Sequence, residues 1–145
     1  MVLASGCFDG LHAGHVAYLQ AAKSLCLDEE PFLITIAPDR YIRAQKHREP
    51  SWPQDQRYAT VEALAIGLRS VVRQSDEMAA EIERLKPRLF VKGVDWAGRL
   101  PQDVVAACQA VECLIVFVQT PGRHTSEASA VAVKNDRQYA DDFYE

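Results

Sequence analysis

Five short apolar runs, spaced by segments of helical period, constrain this chain more than any other feature. They are VLAS after Met1, FLITIA at Phe32–Ala37, Ser70–Arg73, RLFVK at Arg88–Lys92 and CLIVFV at Cys113–Val118. Their apolar residues run on without a regular polar alternation, so the runs read as strands covered on both faces. Helical patterns lie between them, at about Gly14–Leu25, from Ser51 to about Gly67, from Ser75 to just before Pro87, and at Pro101–Val111. Ser51-Trp52-Pro53-Gln54 has the form of a capping box with Ser51 as N-cap, and Ser75 reads as the N-cap of the following helix. A last helix is expected from Thr125 or Ser126 to about Lys134. The alternation predicts an α/β fold, a three-layer sandwich with a five-stranded, mostly parallel sheet and helices on both faces. The polar, basic stretch Pro38–Pro50 carries Arg40, Arg43, Lys46, His47 and Arg48 and is read as a long loop, a kind that is often functional.

With 145 residues the chain is sized for one domain, expected over 1–134, followed by an acidic, aromatic tail at 135–145. Sixteen basic and twenty acidic side chains give a net charge of −4, which argues against a broad basic surface for nucleic acid. A small cationic pocket remains compatible with that balance. No apolar run is long enough for a bilayer. The four cysteines form no CxxC pair, so neither zinc nor a disulfide framework is expected. MVLASGC lacks the basic and apolar regions of a leader, and the expected compartment is the cytoplasm.

In parallel sheets ligands bind beyond the carboxyl ends of the strands, and the informative residues fall there. Gly6-Cys7-Phe8-Asp9-Gly10-Leu11-His12-Ala13-Gly14-His15 leaves the first strand and enters the first helix. Free backbone amides and the helix dipole attract an anion at such a place. Glycines let a phosphate approach, and imidazoles can donate to the charge that builds on a phosphoryl oxygen. A metal site using His12, His15, His47 and His124 is the competing reading.

The string resembles the GxFDxxHxGH signature of cytidylyltransferase-like nucleotidyltransferases, and the likeness extends from about Val2 to Lys134. It implies a Rossmann-like fold. It also implies roles for His12, His15 and Lys46 in catalysis, and for Gly6, Cys7, Phe8, Asp9 and Gly14 around the nucleotide. Asp39, Lys46 and Arg43 fall at the spacing of the family's aspartate and basic residues after the second strand. Arg57, in Pro53-Gln54-Asp55-Gln56-Arg57, matches an arginine that contacts the triphosphate. Lys92-Gly93-Val94-Asp95-Trp96 resembles the GxDW block, in which Gly93 and Asp95 would meet the nucleoside and Trp96 would line the substrate pocket. Gln119-Thr120-Pro121-Gly122-Arg123-His124-Thr125-Ser126 is similar to RTxGxSTT, with Thr120, Gly122, Thr125 and Ser126 kept on the nucleotide side. Its leading arginine is Gln119, and Arg123 or His124 is expected to stand in for it near the substrate.

The reaction implied is attack by a phosphorylated small molecule on the α-phosphorus of CTP or ATP, with release of pyrophosphate. Mg²⁺ would accompany the triphosphate, without direct side-chain ligation. The nearest resemblances within the family are to ADP-heptose synthase nucleotidyltransferase domains and to glycerol-3-phosphate cytidylyltransferase. A homodimer is implied by the family. A nucleotide-binding module without turnover is the alternative that the altered Gln119–Ser126 block raises.

Overall fold

Val2, Leu3, Ala4, Phe32, Ile34, Ile36, Phe90, Val91 and Ile115–Val118 are all but closed to solvent, as strands sandwiched between two helical layers must be. The computed structural model describes residues 1–64, 66, 69–72, 77–119 and 129–134. Its elements are β1 (Val2–Gly6), α1 (Ala13–Ser24), β2 (Phe32–Ile36), α2 (Asp39–Lys46), α3 (Gln54–Ala63) and β3 (Arg69–Val72). There follow α4 (Met78–Leu85), β4 (Leu89–Gly93), a 3-10 turn at Val94–Trp96, α5 (Gln102–Ala110), β5 (Leu114–Gln119) and β6 (Ser129–Lys134). The strands form one sheet in the order β3-β2-β1-β4-β5-β6. β1 to β5 pair in parallel and β6 runs antiparallel to β5.

Each face of the sheet has its own core. Leu19 and Ala22 of α1 and Val61 of α3 pack with Ala4, Ile34 and Val91 on one side. Ile82 of α4 and Val104, Val105 and Cys108 of α5 pack with Leu3, Phe90, Ile115 and Phe117 on the other. The chain order reverses between β1 and β4, which puts the ligand crevice of a doubly wound sheet at that seam.

The α/β class and the two helical layers match the expectation, and three local features correct it. The sheet has six strands among the described residues, not five, because Ser129–Lys134 is a strand where a helix was expected. Its Ser-Ala-Val-Ala-Val-Lys pattern suits a pleated surface, and it covers the edge that β5 would otherwise leave unpaired. Within Pro38–Pro50 the expected loop holds α2. Asp39 lies in its first turn, Arg43 and Lys46 in its last, His47 closes it at φ 54°, and buried Ile42 anchors it. Finally, α3 begins after Pro53 and ends at Ala63, with no side-chain cap, because its N-cap is Pro53 and not Ser51, whose amide donates to Asp9. Gly67, Ser75 and the tail 135–145 lie outside the described residues, and α4 starts at Met78 behind Glu77.

Candidate active site

Two amides at the start of α1, those of His12 and Gly14, are satisfied by the two imidazoles themselves. Gly14 N–H donates to His12 Nδ1 at 3.0 Å, and His12 N–H donates to His15 Nδ1 at 3.2 Å. His12 is the N-cap and His15 the third helical residue, a capping box built from histidines. Gly14 is needed for it, since a Cβ there would come within 2.8 Å of the His12 ring. With each Nδ1 accepting, the ring proton sits on Nε2, so both imidazoles keep an N–H donor for a ligand. The rings lie 3.9 Å apart, and Phe8 meets His15 edge-on at 5.6 Å. Partial burial, with help from His12 and Lys46, pushes His15 down to about 4, so it is neutral near pH 7.

Both histidines line a cavity of about 430 Å³ that opens over the β1/β4 seam. Gly6, Cys7, Phe8, Asp9, Gly14, Lys46, Gly93, Asp95 and Trp96 share its wall, so most of the residues marked in the sequence converge there. Gly93 lets the chain fold back on itself, because a Cβ would lie 2.6 Å from Asp95 Oδ1. Trp96, half-exposed, places its ring under the Lys92 ammonium at 4.6 Å.

Four marked residues do other work in this geometry. The Asp9 side chain is 2% exposed and accepts from Arg48 at 2.7 Å and from the amides of Ser51 and Trp52 at 2.9 Å each. Burial alone would raise its carboxyl, but those three donors outweigh it and hold it below the usual range. Arg57 is buried behind the cavity, not on its wall. Its guanidinium donates to the carbonyls of Trp52, Cys7 and Ala37 and to Asp39 Oδ1, all within 2.9 Å. Asp39 is thereby tied to Arg57, and Arg43 points to Glu49 at 2.8 Å on the surface. Asp9 and Arg57 together fasten the segment before α3 to the loop that carries the histidines.

Arg48, Tyr18 and Lys92 are among the wall residues that the sequence reading did not mark as site residues. Arg48 lines the cavity, as Lys46 does, and donates to Asp9. Tyr18 accepts from the Ser5 amide at 3.2 Å and donates to the Val91 carbonyl across the seam. Burial, reinforced by the Asp95 carboxylate, pushes its hydroxyl above the ordinary range and keeps it protonated. Lys92 is 8% exposed and reaches Ser5. A lysine inside the apolar run RLFVK was the available signal for it. Thr120, Gly122, Arg123, His124, Thr125 and Ser126 lie outside the described residues. Among the described residues no three His, Cys, Asp or Glu side chains gather to hold a metal, and no helix is long and apolar enough to cross a membrane.

A mostly parallel sheet with a donor-rich cavity at its switch point, two imidazoles at the adjoining helix N-terminus and lysines on its wall, makes this a doubly wound α/β protein. The chain belongs to the cytidylyltransferase-like family, whose model matches residues 3–136. It is 34% identical over 94 residues to the FAD synthase of Methanopyrus kandleri, covering 65% of this chain and 62% of that one. It is 33% identical over 143 residues to the bifunctional protein HldE of Helicobacter acinonychis, covering 97% of this chain and 28% of that one. The chain thus spans less than two thirds of these relatives' length. A lipopolysaccharide core biosynthesis protein from Thermoplasma volcanium GSS1 shares the fold, with a TM-score of 0.64 at 22% identity over 77% of this chain and 87% of that one.

Proposed function

We propose that the protein is a nucleotidyltransferase that moves a nucleoside monophosphate from CTP or ATP to a phosphorylated small molecule. An oxygen of the acceptor phosphate attacks the α-phosphorus, the bond to the β-phosphate oxygen breaks, and pyrophosphate leaves. A phosphomonoester is largely dianionic near neutral pH, so it needs no general base. The demand is for in-line placement and for donors aimed at the developing charge.

The observation that carries this reading is the pair of Nε2–H donors left when the capping box occupies both Nδ1 atoms. Being neutral and fixed in tautomer, His15 can donate to a phosphoryl oxygen without first shedding or gaining a proton. Lys46, on the same cavity wall, supplies charge for the β- and γ-phosphates. Gly93 and Asp95 would bound the nucleoside. Mg²⁺ enters as counter-ion of the triphosphate, and no described side chain is asked to ligate it. Relatives that include an FAD synthase and HldE proteins support nucleotidyl transfer, and the adenylyl group of FAD keeps ATP beside CTP as donor.

The test is pyrophosphate release from CTP, ATP, GTP and UTP with Mg²⁺, paired with a panel of sugar 1-phosphates, polyol phosphates and other phosphomonoesters. Release that requires both one nucleotide and one acceptor is the expected result. Nucleotide binding with no release across the whole panel would leave a binding module in place of an enzyme.

A further inference from the structure

The two halves of the sheet part company at their ligand end. β1 stays paired with β2 as far as Gly6↔Ile36, and β4 with β5 as far as Gly93↔Val118. Between β1 and β4 the ladder stops at Ala4↔Val91, and the residues beyond it, Ser5 and Gly6 on one strand and Lys92 and Gly93 on the other, line the cavity. The Tyr18 hydroxyl sits at this fork. It accepts from the Ser5 amide at 3.2 Å and donates to the Val91 carbonyl, one group from each half. Lys92 also crosses the fork, reaching the Ser5 carbonyl at 3.3 Å, but it belongs to β4 itself. Tyr18 belongs to α1, one turn beyond His15, and both side chains line the cavity. One buried hydroxyl thus joins the helix that carries the imidazoles to the strand that ends in Gly93. The rest of that contact is less exact. Toward the sheet α1 offers Leu19, Ala21 and Ala22, and apolar burial sets no direction, whereas a hydrogen bond weakens steeply when bent.

In the reading proposed above, the imidazoles and Lys46 hold the phosphates while Gly93 and Asp95 bound the nucleoside. The α-phosphorus then lies between two parts of the protein that the ladder no longer joins. In-line attack tolerates little error there, since a displacement of about 1 Å can cost on the order of 100-fold. We infer that Tyr18 is a positioning residue, whose hydroxyl fixes the His12–His15 pair relative to the end of β4 so that one nucleoside triphosphate fits both. The role rests on the nucleotidyl-transfer reading. A tyrosine that only stabilised the core would weaken every ligand alike, and the test turns on that difference.

Tyr18→Phe keeps the ring in the core and removes the hydroxyl. Inorganic tripolyphosphate engages the imidazole side alone, whereas CTP or ATP engages both sides. With Mg²⁺, the phenylalanine form should bind tripolyphosphate within about twofold of the unmodified protein. It should bind the nucleotide at least about 10-fold more weakly and lose about 10- to 100-fold in kcat. Hydrogen exchange at the Ser5 amide of the unmodified protein supplies a second measurement, which decides alone if the variant does not fold. At about ten times its Kd, a nucleotide that bridges the fork should slow this exchange about 10-fold, and tripolyphosphate at the same saturation should leave it within about twofold. Tripolyphosphate weakened as much as the nucleotide, nucleotide affinity unchanged in the variant, or equal protection of Ser5 by the two ligands overturns the inference. So does a lowered melting temperature as the sole change. If the nucleotide behaves as expected while no acceptor yields pyrophosphate, the reaction is misread and the positioning role stands. If no nucleotide binds the unmodified protein, both readings fall.

Discussion

At the scale of single residues, the histidine capping box joins a structural task to a chemical one, and substitutions can separate them. His12→Asn keeps an N-cap acceptor and His15→Gln keeps a capping-box side chain at the third helical position, so α1 should remain intact in both. Neither amide replaces an imidazole Nε2–H at the cavity. Each variant should lose about 100- to 1,000-fold in kcat while its melting temperature shifts by only a few degrees. Turnover near wild type in either would remove the imidazoles from the chemistry. His15 also sets a pH dependence. Its folded value of about 4 lies below the 6.5 of an ordinary exposed histidine, so the unfolded chain binds more protons between them. The contribution to stability is complete above about pH 6.5 and is lost as pH falls toward 4. Denaturant unfolding of wild type and His15→Gln at pH 7 and about pH 4.5 should show the wild-type protein losing ground on acidification. A constant difference would contradict the burial seen here.

At the scale of elements, what holds the site is a set of buried ties between loops, and Arg57 is the largest of them. Its fork reaches three carbonyls and one carboxylate from three segments of chain. A lysine offers a point charge and cannot meet all four acceptors. Arg57→Lys should therefore cost about 3 kcal/mol in chemical denaturation. A direct contact with triphosphate, which is what the sequence resemblance implies for this arginine, would instead raise the nucleotide KM with stability unchanged. The sequence showed the position of Arg57 but not its direction, because a guanidinium looks the same in a motif whether it faces ligand or carbonyls. β1 to β5 and α1 were legible because continuous apolar runs and helical spacing survive any tertiary context. α2 was not, since only Ile42 among its eight residues is buried, and the polar remainder reads equally well as loop. β6 was misread for the opposite reason: its alternating small and branched residues pair with β5, a partner distant in sequence. The histidines and glycines of the site could be named in advance because their chemistry is local. Lys92 and Tyr18 could not, because they become site residues only where the sheet divides.

For the molecule as a whole, that division is the feature ligand binding should change most. The β1/β2 half carries the imidazoles at its end, the β4/β5 half carries Lys92, Gly93 and Asp95, and their ladder ends at Ala4↔Val91. A nucleotide lying across the seam would contact both halves and so oppose their separation on unfolding. A ligand that binds only the folded state at about 100 times its Kd adds about 2.7 kcal/mol. For a domain of this size that corresponds to a rise in melting temperature of roughly 5–10 °C. One of CTP or ATP with Mg²⁺ should produce such a rise, and the other nucleotides a much smaller one. Chelation should abolish most of the nucleotide-induced shift, because the cation travels with the triphosphate. It should leave the melting of the protein alone unchanged, since the described side chains form no metal cluster. A chelator that lowers the melting temperature without nucleotide would reveal a metal held by the protein itself, and a shift indifferent to chelation would remove the cation from the nucleotide site.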